Sequence, residues 1–67
     1  MVDKNLIKAA EVAAEEAYHW VYESGGTVED SVNAGADAYE RVAGEKMENP
    51  IEFFGWDEDS WDEIKDT

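Results

Sequence analysis

From about Asp3 to Glu23 the apolar residues recur at helical intervals. Leu6, Ile7, Ala10, Ala13, Ala14, Ala17, Trp20 and Val21 project to one side at about 100° per residue, with Lys8, Glu11, Glu15, Glu16, His19 and Glu23 opposite. Counting Ala9, five alanines line the apolar side, so a neighbouring helix can approach closely. Ser24-Gly25-Gly26-Thr27 then supplies a stop and a new start: Gly25 or Gly26 suits a left-handed C′ position, and Thr27 with Asp30 resembles a capping box. The spacing predicts a second, antiparallel helix over 28–43. Val28, Val32, Gly35, Ala36, Tyr39, Val42 and Ala43 form its inner face and Glu29, Asn33, Asp37 and Glu40 its outer one. Gly35 costs roughly 1 kcal/mol of helix stability relative to Ala, and its inner position points to close contact with the alanine strip. Gly44 is the expected C-cap.

Residues 45–48 read as a connection from which Met47 can pack down on the core. Asn49-Pro50-Ile51-Glu52 has the order of an N-cap, a proline at N1 and an acid at N3, predicting a short helix over 50–54 that Gly55 stops. A last helix is expected over 57–65, capped by Asp57. Trp56 and Trp61 hold the positions of a hydrophobic staple, with Trp61 and Ile64 facing inward. Glu58, Asp59, Asp62, Glu63 and Asp66 would form its acidic face, and its first-turn acids suit the helix dipole. No segment shows period-two alternation. The fold class is therefore all-α, a three- or four-helix miniature domain spanning 1–67 in which a helical hairpin meets short aromatic-rich C-terminal helices.

Composition narrows the function. Sixty-seven residues make one domain that buries roughly 60% of its unfolded-chain surface, too little for a core and an elaborated cleft, so an enzyme is not expected. No cysteine is present, which removes disulfides, thiolate zinc sites and thiol nucleophiles. The chain has neither a 20-residue apolar stretch nor a basic, apolar leader at its start, and it reads as soluble and cytoplasmic. Low hydropathy with high charge is the signature of disorder, but 43% hydrophobic residues and eight aromatics favour a folded domain.

Candidate chemistry is sparse. His19 is the one imidazole, and no second His or Cys completes a zinc set, so it reads as a surface residue. Asp57, Asp59 and Glu63 match calcium-loop positions 1, 3 and 7, yet Asp62 stands where that loop needs glycine, and no Glu follows at position 12. No metal or cofactor is expected. Asp30-Ser31-Val32 resembles the Asp-Ser-Leu sequence on which acyl carrier proteins bear phosphopantetheine, which implies modification of Ser31. About six residues replace that family's long loop, and the competing reading makes Ser31 an ordinary first-turn helix residue.

Charge is the stronger signal. Eighteen acids against five bases leave a formal charge of −13, which opposes binding to DNA, RNA or anionic lipid and favours a basic partner. Residues 45–67 alone hold 9 acids and 2 bases, roughly twice the net charge density of residues 1–44. A compact chain of this length is about 28 Å across, over which duplex DNA carries about 16 charges. The interleaving in Phe53-Phe54-Gly55-Trp56-Asp57-Glu58-Asp59-Ser60-Trp61-Asp62-Glu63, with the size, charge and helical layout, resembles the small acidic helical phage inhibitors that mimic DNA. Members of that class block restriction enzymes, CRISPR effectors or uracil-DNA glycosylase.

The resemblance implies a non-catalytic inhibitor seated in the basic groove of a nucleic-acid-binding protein. Glu58, Asp59, Asp62 and Glu63 are the first candidates for phosphate-like contacts, with Asp57 beside them as a further partner-binding residue. Glu29, Asp37 and Glu40, or Glu11, Glu15 and Glu16, are candidates for a second row. A small acidic adaptor or regulator of a basic protein is the alternative, and a core this small leaves room for completion by a homodimer.

Overall fold

The computed structural model describes residues 3–66. It is all-α, and four helices follow in order: α1 (Lys4–Glu23), α2 (Val28–Ala43), α3 (Pro50–Phe53) and α4 (Trp61–Ile64), the last preceded by a 3-10 turn at Glu58–Ser60. Asp3 caps α1 by accepting the Asn5 N–H at 2.9 Å, and Thr27 caps α2 by accepting the Asp30 N–H at 3.1 Å. Between them the chain reverses in a Schellman turn. Gly25 takes φ +93° and donates to the Tyr22 carbonyl, and the Gly26 N–H reaches back to the Val21 carbonyl at 3.0 Å. The same turn recurs after α3, where Gly55 has φ +88° and the Trp56 N–H reaches the Ile51 carbonyl at 3.0 Å. Gly44 ends α2 in the left-handed conformation.

α1 and α2 pack antiparallel through small residues. Ala10 and Ala14 are fully buried, and a side chain on Gly35 would lie 2.9 Å from the Ala14 carbonyl oxygen and inside the envelope of the Phe54 ring. Gly35 thus receives two neighbours, of which sequence spacing indicated only the first. Tyr18, Val28 and Val32 form the buried cluster, and Ile51, Phe54, Trp56, Trp61 and Ile64 pack against it from the C-terminal third. Burying Val28 and Val32 contributes roughly 1.5–3 kcal/mol each. Tyr18 is the node. Its ring stacks on Phe54 with centroids 4.4 Å apart and planes 14° from parallel, and its hydroxyl accepts the Trp56 indole N–H at 2.9 Å.

Three expectations are corrected. Trp20, expected on the core face of the first helix, is 72% exposed, and Leu6 is 39% exposed, whereas Tyr18 is buried. The apolar face is rotated because Tyr18 continues the Ala10–Ala14 line by one turn and the C-terminal aromatics cover that side. Asn49 does not cap α3 through its side chain. The continuous helix over 57–65 is instead a 3-10 turn followed by one α turn. Asp57 accepts the Asp59 N–H and its carbonyl takes the Ser60 N–H at 3.2 Å, an i→i+3 bond that tightens the chain before Trp61 drops onto the core.

The molecule is a thin slab with principal extents of 36 × 26 × 14 Å and a radius of gyration of 11.8 Å. Its accessible surface, 4742 Å², exceeds the roughly 4,250 Å² of an ordinary monomer of 7.5 kDa, as flatness requires. Gly35→Ala should lose about 1–2 kcal/mol, because overpacking against Phe54 and Ala14 outweighs the helix-propensity gain, and urea unfolding with an unchanged m-value would show it. Tyr18→Phe should cost about 1 kcal/mol by orphaning the Trp56 N–H, read from the same transition followed by tryptophan fluorescence.

Candidate partner-binding surface

Asp57, Glu58, Asp59, Asp62 and Glu63 are all exposed. They sit on two successive turns rather than on one helix face, with Asp57 spending one carboxylate oxygen on the Asp59 N–H at 3.0 Å. Asp62 also approaches Lys65 at 3.6 Å. On α2, Asp37 and Glu40 are exposed and Glu29 is half-buried, and Asp37 pairs with Arg41 at 3.1 Å. On α1, Glu11, Glu15 and Glu16 are exposed. The Arg41–Asp37 pair is solvent-exposed and the Lys65–Asp62 pair joins a half-buried lysine to an exposed carboxylate; such surface contacts between residues three or four apart are worth only a few tenths of a kcal/mol each. They are the two that form among the described residues, so most of the carboxylates there have no paired cation.

The structure also gathers acids that sequence reasoning did not group. Glu11 of α1, Glu48 of the connection and Glu52 of α3 line one open groove of about 390 Å³ together with Tyr39, Met47 and Phe53. Asn49 lines the same groove, its side chain left free of the capping bond that its position suggests. Phe53 is held there edge-on against Phe54, with centroids 4.9 Å apart. The signal in the sequence was weak: Met47 was expected to pack down, but nothing in helical periodicity relates residue 11 to residues 48 and 52.

Other candidate groups find structural roles. Ser31 is fully buried and its hydroxyl donates to the Thr27 carbonyl at 2.8 Å, which leaves no access for phosphopantetheine attachment. His19 is exposed, its ring edge-on to Tyr18 at 5.6 Å. Among the described residues no group of three His, Cys, Asp or Glu side chains is placed to hold a metal ion, and no helix is long and apolar enough to cross a membrane.

The observed dimensions revise the charge comparison. Along 36 Å, duplex DNA would carry about 21 phosphates and one of its strands about 11. The net −13 of this chain therefore lies nearer to one strand than to the duplex.

No protein family, curated protein or solved structure matches this chain.

Unpaired surface carboxylates repel one another through water, and salt screens that repulsion. Going from about 0.01 to 0.1 M salt shortens the Debye length from ~30 to ~10 Å, so the melting temperature should rise with ionic strength. Relief of about 1 kcal/mol corresponds to a rise of roughly 4–8 °C in a calorimetric scan.

Proposed function

We propose that the protein is a non-catalytic inhibitor that occupies the basic nucleic-acid-binding groove of a defence or DNA-processing protein. The target would be a CRISPR effector, a restriction enzyme or a repair enzyme. The observation that carries this reading is the display of carboxylates on α1, α2 and the C-terminal turns, exposed and mostly without cations, on a scaffold whose Phe54, Trp56 and Trp61 pack against the core. Such a surface attracts a Lys- and Arg-lined groove at long range and repels nucleic acid. Its charge per unit length approximates that of a single DNA strand. Rows of acids three and four residues apart place carboxylates about 5–6 Å from one another at Cβ, a spacing that a phosphate-reading groove accommodates.

The C-terminal turns are the primary contact in this reading. They are the most acid-dense segment, and Trp61 and Ile64 hold them to the core. The test is competition with duplex and single-stranded DNA for a panel of bacterial nucleases, CRISPR effectors and repair glycosylases at low salt. Inhibition should weaken steeply as salt rises. No competition with any of them would sink the reading. Replacing Asp59, Asp62 and Glu63 together by Asn, Asn and Gln should abolish inhibition while raising the melting temperature; unchanged inhibition would move the contact to α1 or α2.

A further inference from the structure

The groove between α1, α2 and the α2–α3 connection has a composition that selects a particular cation. It is lined by Glu11, Glu48 and Glu52, contributed by three separate segments, together with Tyr39, Met47, Asn49 and Phe53. No Lys or Arg lines it, and none of the three glutamates joins an ion pair or a side-chain hydrogen bond among the described residues. About 390 Å³ of open space is at the low end of what binding pockets offer, suited to one long side chain rather than to a helix. We infer that this groove seats a single arginine side chain projecting from the basic partner.

Charge complementarity argues for the occupant. The aliphatic stem of an arginine would lie along Met47, and its guanidinium plane would stack on Tyr39 or Phe53, where a planar cation gains from the ring face. The five N–H donors would then reach the glutamates and the free Asn49 amide oxygen, with bidentate pairing available to a carboxylate. Lysine, a compact and strongly hydrated point charge, would pair with the glutamates but gain less from the aromatic rings. Phe53 is already braced by Phe54, so little order has to be created on binding. The groove would fix the register of a partner that the wider acidic surface merely attracts. This inference rests on the reading that the partner is basic.

The experiment titrates the isotopically labelled full chain with N-acetyl-arginine amide and, separately, with N-acetyl-lysine amide, following backbone amide shifts. Saturable shifts should concentrate at Glu11, Tyr39 and residues 47–53, with arginine binding roughly threefold or more tighter than lysine. Glu48→Gln with Glu52→Gln should weaken arginine about tenfold, a change of ~1.4 kcal/mol, without lowering the melting temperature. Shifts spread over Asp57–Asp66, equal affinities for the two probes, or no saturable shift would each overturn the assignment. The titration needs no target protein, so it stands or falls separately from mimicry. If the wild-type chain competes with DNA and the double variant competes equally well, the groove is not the arginine seat, although mimicry survives.

Discussion

Tyr18 is gripped from two directions at once, by the face of Phe54 and by the indole N–H of Trp56. In a chain whose largest fully buried side chains are Val28, Val32 and Ser31, that grip decides where the C-terminal third lies. Its conditions are written into distant positions. Gly35 must lack a side chain for the Phe54 ring to enter, Gly55 must turn left-handed for Trp56 to follow, and Ala14 must be small enough for α2 to approach. Loss of any one weakens the hold on the segment that carries half of the acids. The hydrogen bond joins residues 38 apart in sequence and so closes a long loop.

The helical hairpin was legible because it depends on local signals: the Thr27 cap, the Gly25 turn, and apolar residues at three- and four-residue spacing. What escaped was set by contacts between segments. Tyr18 counts as only weakly apolar, and its partners lie in a different part of the chain. Trp20 looks like core by hydrophobicity, yet it sits off the line that α2 and the C-terminal aromatics cover. The break at Ser60 is made by the i→i+3 bond from the Ser60 N–H to the Asp57 carbonyl, which apolar spacing does not record. The acids over 57–63 could be grouped from sequence because they lie within seven residues of one another. Glu48 and Glu52 were not linked to Glu11, since only the fold brings them together.

Two opposing demands meet in this structure. Apolar burial is modest, and every unpaired carboxylate adds to self-repulsion, so the fold holds a destabilising charge with few hydrophobic contacts. The half-buried Trp56, Trp61 and Ile64 explain how this is possible: the most acidic stretch is also the most aromatic, and each turn that displays carboxylates outward is pinned by a large ring or branched chain inward. Binding a basic partner would relieve the repulsion, so partner affinity and the stability of the fold are linked.

The 14 Å dimension has a consequence for how anything meets this molecule. At low ionic strength the Debye length, ~30 Å, exceeds the slab's thickness, so charges on one broad face are felt from the other. An approaching cationic protein therefore meets an attractive potential from every direction, and its first encounter is blind to orientation. Near ~0.15 M salt the range falls to about 8 Å, less than the thickness, and the two faces become electrostatically separate surfaces. Salt thus changes not only the strength of attraction but how many sides of the molecule take part in it.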